Sequence, residues 1–323
     1  MKKTLSLAEF LKGFESRNRT VLSRAITLIE STHPEHQRLA QELLQALLPM
    51  TGASRRIGIS GTPGVGKSTF IEAFGKELTS QKKSVAVLAV DPTSQVSGGS
   101  ILGDKTRMNE LAVDPLAFIR PSPSGETLGG VARRTRETLL VCEAFGFDYV
   151  LVETVGVGQS ETAVAQMVDL FVMLLQPGAG DDLQGIKRGI LEMVDMVVVT
   201  KDDGDNRKII QKARHDYQKA LEILRHESGH IPVVLSCSAL TKSGLREVGE
   251  AMEAFLNNRK DEISGRRRTQ NIDWMWALLR EGLDRAFHDK VSPQDIEMIK
   301  AQVADQNLTA PQAADALLKL FQK

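Results

Sequence analysis

The chain has 323 residues, enough for two domains or for one large domain with extensions, and enough to bury a sizeable core. Its 41 Lys and Arg balance 41 Asp and Glu, which argues against a generally basic nucleic-acid binder, and 41% hydrophobic with 25% charged residues excludes wholesale disorder. The two cysteines, Cys142 and Cys237, exclude a disulfide framework and point to a reducing compartment. The longest apolar runs span about six residues, against the roughly 20 needed to cross a bilayer, so no membrane association is expected. The N-terminus lacks the long apolar core of a secretory signal, and Glu9 and Glu15 disfavour a mitochondrial leader. A cytoplasmic protein is the expectation.

Residues 1–50 predict helices. Phe10, Phe14, Leu22, Ile26 and Ile29 form one apolar series, and Leu39, Leu43, Leu44, Leu47 and Leu48 form a second. His33-Pro34 separates the two, because proline disfavours helix at the residue before it. From about Arg55 the pattern changes. Seven short runs, at 57–60, 85–90, 116–119, 149–152, 170–175, 196–199 and 231–235, alternate with segments mostly long enough for crossover helices. Several are nearly continuous Val, Ile and Leu, as strands covered on both faces require. The prediction is an α/β fold with a mostly parallel central sheet flanked by helices. Residues 257–270 are polar and basic and read as a solvated linker, with an anion-binding patch as the alternative. A helix carrying Ile272, Met275, Leu279, Leu283 and Phe287 follows, then helices opened by Ser292-Pro293 and by Thr309-Ala310-Pro311. The expected division is a helical extension over 1–50, an α/β domain over 51–260 and a helical arm over 261–323.

The strongest motif is Gly61-Thr62-Pro63-Gly64-Val65-Gly66-Lys67-Ser68, followed by Thr69. It satisfies G-x-x-x-x-G-K-[ST], comes directly after a strand-like run, and opens a helical pattern at Phe70, Ile71, Phe74 and Leu78. Glycines let backbone N–H groups turn inward around phosphate oxygens, and the helix N-terminus adds positive potential. Lys67 is placed to reach the β- and γ-phosphates, and Ser68 to offer a hydroxyl to Mg²⁺. The expected fold is therefore a P-loop NTPase.

The sixth run ends in Thr200-Lys201-Asp202-Asp203, similar to the guanine-reading N-K-x-D element of GTPases. A carboxylate at Asp203 can accept from the guanine N1–H and exocyclic amine; adenine offers no such pair and would leave it unpaired. The stem of Lys201 would cover a face of the base. Thr200 replaces the usual asparagine and can supply only part of an amide's bracing. Ser238, Ala239 and Leu240 follow the seventh run, where such proteins place a backbone contact to guanine. Three carboxylates are candidates for a Mg²⁺ site: Asp91 after the second run, Asp104 in GGSILGDKTR, and Glu153 leading into TVGVGQSE. Strand ends are where an open α/β sheet presents its ligands, and Mg²⁺ prefers oxygen donors.

The runs GTPGVGKST, AVDPTS with GGSILGDKTRM, FIRPSPS with LGGVARRTRE, VETVGVGQSE and PGAGDDLQGIKRGI resemble the MeaB/ArgK/MMAA family over nearly the whole chain. The resemblance implies a GTPase that acts as chaperone for an adenosylcobalamin-dependent acyl-CoA mutase, chiefly methylmalonyl-CoA mutase. It implies slow hydrolysis that the mutase stimulates, with the nucleotide state gating cofactor loading, protection and reactivation. It places Asp91, Asp104 and Glu153 around Mg²⁺ and the attacking water. It makes 178–187 a third switch, in which Asp182 and Lys187 pair with other switch residues. It also implies a homodimer through the C-terminal arm, for which the seam from Ile272 to Phe287, with Trp274 and Trp276, supplies an apolar face. Arg107, Arg133, Arg134 and Lys187 are candidates for the charge that speeds hydrolysis, the plainer reading of each arginine being a solvated surface. The competing functions are a metallochaperone-type P-loop GTPase for nickel or another metal, and a P-loop kinase. His33/His36 and His226/His230 are close pairs but bring no cysteine, and no acceptor-binding module is evident.

Overall fold

All seven apolar runs form strands in the computed structural model, which describes residues 4–90, 108–121, 128–154, 159–176, 188–204, 207–225 and 231–322. The strands are β1 (Arg55–Gly61), β2 (Val85–Val90), β3 (Ala117–Arg120), β4 (Tyr149–Thr154), β5 (Leu170–Leu175), β6 (Met196–Val199) and β7 (Val233–Ser236). They make one sheet in the order β3-β2-β4-β1-β5-β6-β7, and every pairing is parallel. β1 lies in the middle, with Ile57 opposite Leu151 of β4 and Leu170 of β5. The segment leaving β1 therefore emerges between two neighbours at the C-terminal edge of the sheet, where this class of fold binds its ligands.

Alternation along each strand feeds a core on either face. Ile57, Ile59, Leu151, Leu170, Val172 and Leu174 pack with Phe70, Phe74, Val248 and Met252. Val150, Val152, Phe171 and Met173 pack with Val131, Leu139, Cys142 and Val164 on the other face. Gly58 sits where β1 meets that second layer. A Cβ there would lie 2.8 Å from Val164 Cγ1 and 2.9 Å from Phe171 Cδ2, so only glycine permits the approach.

The N-terminal region holds three helices where the apolar spacing predicted two. These are α1 (Leu7–Glu15), α2 (Arg19–Glu30) and α3 (Pro34–Leu47). The additional break falls at Arg17, whose φ is 51°, and at Asn18, whose side chain accepts from the Thr20 and Val21 N–H groups. An asparagine cap and one left-handed residue end a helix without disturbing the apolar series that runs through it. Phe10, Phe14, Leu22, Ile26 and Leu43 are buried in the same core as the helix Leu128–Phe145, and the Phe14 ring meets Phe145 edge-on at 5.7 Å. Phe14→Ala is expected to destabilise this unit by about 3–5 kcal/mol, read as a lower urea midpoint with unchanged slope.

By its internal contacts the chain divides into two compact units, residues 1–263 and 264–323. The stretch 257–270, expected as a linker, is instead largely helical: the 31-residue helix Lys260–Lys290 begins within it. The reason is local. Lys, Arg, Glu and Gln are good helix formers, no proline interrupts them, and Asp261 and Glu262 complement the dipole in the first turn. Helices Pro293–Ala304 and Ala310–Gln322 begin where predicted, the first with Ser292 accepting from the Asp295 N–H at 3.1 Å. Among the described residues no helix is long and apolar enough to cross a membrane.

Candidate functional site

The P-loop joins β1 to the helix Lys67–Ser80. Gly64 and Gly66 have φ of 81° and 97°, left-handed values that a side chain resists, although a Cβ at either would touch nothing within 4 Å. Backbone conformation, not crowding, demands glycine there. Gly66 is also the N-cap residue of the helix, so the free N–H groups of its first turn sit at the loop.

Lys67 Nζ donates to the Gly61 carbonyl at 2.8 Å and to the Thr62 carbonyl at 3.3 Å, which holds the ammonium over the loop. Burial moves its pKa below the ordinary value, and the charges of Glu153 and Glu161 partly offset this. Ser68, one residue on, donates from Oγ to Glu153 Oε1 at 3.0 Å. Glu153 lies near the end of β4, and Thr154 beside it donates to Ser60 Oγ at 3.0 Å, tying β4 to β1 just below the loop. Glu153 and Glu161 are 7% and 5% exposed, so two buried carboxylates share the field of one ammonium. The hydroxyl and carboxylate oxygens here suit a hard divalent cation such as Mg²⁺.

Glu161, in the first turn of the helix Gln159–Ala165, is the one residue here that the sequence reading left out of its site. The available signal was an acid eight residues after Glu153 in VETVGVGQSE, just where a helix opens.

The base-reading candidates gather at the ends of β6 and β7. The Ser238 hydroxyl, fully buried, donates to Asp203 Oδ2 at 2.6 Å and accepts from the Thr241 N–H at 3.1 Å. The neighbouring acid, Asp202, accepts from Ser236 Oγ at 2.7 Å. The two acids therefore divide the work: Asp202 fastens β7 to the turn, and Asp203 is aimed by Ser238. Lys201 takes a left-handed φ of 64°, and its exposed side chain reaches back to donate to the Gly64 carbonyl at 3.2 Å. Ala239 is half-buried and Leu240 is 77% exposed. Cys237, buried beneath this turn, has its thiol pushed up to about 12 by burial and by Asp202, which makes it an inert packing residue.

Thr200 joins the two halves. Its hydroxyl donates to the Val65 carbonyl at 2.8 Å, with the Leu175 carbonyl at 3.3 Å, so the strand that carries Asp203 grips the P-loop backbone directly. The Thr200 hydroxyl and the exposed Lys201 ammonium make the ties to the loop, the hydroxyl being the buried one. Thr200→Val removes it at nearly constant volume. GTP affinity is expected to fall by about tenfold in calorimetry, with the preference over ATP kept, because the lost bond is worth about 1 kcal/mol and touches no base.

The remaining candidates separate. Asp91, Asp104, Arg107, Asp182 and Lys187 lie outside the described residues. Arg134 is not a solvated surface residue: it is 8% exposed and donates to the Ile29 and Ser31 carbonyls at the end of α2. Those carbonyls are left free as the helix ends, and a guanidinium satisfies them. Arg133, partly exposed, pairs with Glu137 at 3.2 Å.

The family described as methylmalonyl-CoA mutase-associated GTPase MeaB matches residues 22–292. The chain is 51% identical over 273 residues to the GTPase ArgK of Escherichia coli strain K12, covering 84% of this chain and 82% of that one. It is 47% identical over 324 residues to the mitochondrial methylmalonic aciduria type A homolog of Mus musculus, covering 96% and 78%. A crystal structure of a LAO/AO transport system kinase superposes with a TM-score of 0.80 at 39% identity over the whole of both chains. With a P-loop set in a parallel seven-stranded sheet, an acid aimed at the end of β6, and these matches along most of its length, the chain belongs to the MeaB family of methylmalonyl-CoA mutase-associated GTPases.

Proposed function

We propose that the chain binds GTP with Mg²⁺, hydrolyses it to GDP and phosphate, and uses the difference between the two states as a chaperone of an adenosylcobalamin-dependent acyl-CoA mutase. The observation that carries the hydrolytic part is the contact of Ser68 with Glu153 beside Lys67, in a loop that the Thr200 hydroxyl ties to the turn that bears Asp203. In this reading the backbone from Gly61 to Thr69 wraps the phosphates, and Lys67 neutralises charge on the β- and γ-oxygens. Ser68, Glu153, Asp91 and Asp104 hold the cation, which supplies Lewis-acid neutralisation of the triphosphate. Asp104 and Glu153 also orient the attacking water. The water oxygen bonds to the γ-phosphorus as the bond to the β-phosphate bridge breaks, and catalysis is mostly positioning and charge neutralisation. Asp203 selects guanine, Lys201 covers it, and Ser238, Ala239 and Leu240 line its edge. The partner's binding orders Lys187, which completes the charge around the leaving phosphate.

The family's description and the resemblance in the sequence support methylmalonyl-CoA mutase as the partner, with the nucleotide state gating cofactor loading, protection and reactivation. A homodimer through residues 261–323, in the cytoplasm, belongs to the same proposal. Ile272, Met275, Trp276, Leu279 and Leu283 support it, forming one stripe along their helix with each residue 46–56% exposed. The test is a GTPase assay with and without purified methylmalonyl-CoA mutase. Stimulation by one or more orders of magnitude, together with a complex in gel filtration, fits the proposal. Turnover indifferent to the mutase, and no complex, overturns the partner.

A further inference from the structure

The sheet ends on either side in a short strand, β3 and β7, of four residues each. An edge strand turns the N–H and C=O of every second residue away from the sheet, and such groups are a template for pairing with another chain. The Val85 N–H donates to the Leu116 carbonyl and the Cys237 N–H to the Val199 carbonyl, both at 2.9 Å, so alternation turns Ala117 and Val234 outward. Both outward pairs are already taken. The Ala117 N–H donates to the Asp114 carbonyl at 3.0 Å, and its carbonyl accepts from Arg19 Nη2 at 2.8 Å. The Val234 N–H donates to Gln218 Oε1 at 3.2 Å, and its carbonyl accepts from Arg214 Nη2 at 3.3 Å.

Helices supply these covers. Arg19 opens α2, and Glu30 at its other end pairs with Arg120 at the end of β3, so one helix of the N-terminal extension is tied to both ends of that edge. Arg214 and Gln218 stand one turn apart on the helix Arg207–Arg225, which brings both to one residue of β7. Arg214 Nε is buried without a hydrogen-bond partner, so this side chain gives up solvation to reach the strand. Pro232, just before β7, has no N–H to offer. β7 is the edge that needs cover more. Ile231 and Val233 beside it are each 42% exposed, whereas Ala117 is buried and Phe118 and Ile119 are half-buried. A bare strand edge flanked by exposed apolar side chains is an association site.

We propose that Arg214 and Gln218 guard β7 against strand addition by a second copy of this chain, and that without them two β7 edges pair across a two-fold axis. This surface is separate from the helical arm and from the nucleotide-binding residues, and it does not depend on the function proposed above.

Two variants of the full chain test it. Gln218→Met removes one side-chain acceptor and frees the Val234 N–H, whose hydrogen exchange is expected to speed up by about fivefold. The double variant Arg214→Met/Gln218→Met keeps the side-chain bulk and removes both bonds to β7. Its mass in sedimentation is expected to rise above that of the wild type as concentration is raised. Val233→Lys added to the double variant puts a charge on the exposed edge and is expected to reverse that rise. Unchanged exchange at Val234 in Gln218→Met, a double-variant mass that follows the wild type at every concentration, or a rise that Val233→Lys leaves standing overturns the proposal.

Discussion

Asp203→Asn is expected to weaken GTP binding by about 100- to 1000-fold while leaving ATP binding within about threefold of the wild type. A carboxylate at the end of β6 can accept two hydrogen bonds from the Watson–Crick edge of guanine. An amide in its place keeps one acceptor and turns its NH₂ toward another donor. The loss is that of a charge-assisted pair plus an unpaired donor, which together run to several kcal/mol. The geometry makes the substitution informative, because Asp203 is already oriented by Ser238 at 2.6 Å and the turn itself is fastened independently through Asp202 and Ser236. Titration calorimetry with both nucleotides reads the result. A parallel fall for GTP and ATP would mean that the substitution disturbed the P-loop rather than base selection.

Lys67→Ala is expected to lower GTP turnover by about 10²–10³-fold at saturating nucleotide, as loss of one preorganised charge at a developing anion does elsewhere. The side chain is buried enough to lose part of its solvation, and it is held over the loop by two carbonyls, so it meets a phosphate with little reorganisation. Lys67→Arg should not restore the rate, because a planar fork cannot replace a compact ammonium within the carbonyls of Gly61 and Thr62. Single-turnover phosphate release at saturating GTP separates this effect from weakened binding.

The sheet was legible from the sequence because parallel strands buried on both faces must be written almost wholly in Val, Ile and Leu, and such runs are hard to produce by other means. β2, β5 and β6 coincide with their runs, whereas β3 and β7 are displaced by one or two residues at ends where the apolar signal fades. What escaped the reading depended on tertiary contacts or on capping. Asn18 divides an apolar series that looks continuous, and residues 260–270 are helical with many good helix formers but no apolar stripe to announce them. Arg134 is indistinguishable in sequence from a surface arginine until the end of α2 is placed against it.

In the site, Ser68 meets Glu153 and Ser238 meets Asp203, residues far apart in the sequence. The Thr200 hydroxyl is short but reaches the Val65 carbonyl, since β6 ends close to the loop. Glu161 was left out because VETVGVGQSE carries the acid but does not by itself place it in the field of Lys67.

If the turn around Lys67 holds a triphosphate whose purine is chosen by Asp203, guanine and adenine nucleotides must bind with very different affinities. Calorimetric titration of the wild-type chain with non-hydrolysable GTP and ATP analogues, each with Mg²⁺, tests it directly. The guanine analogue is expected to bind at least about 100-fold more tightly. Equal affinities, or tighter binding of the adenine analogue, would contradict it.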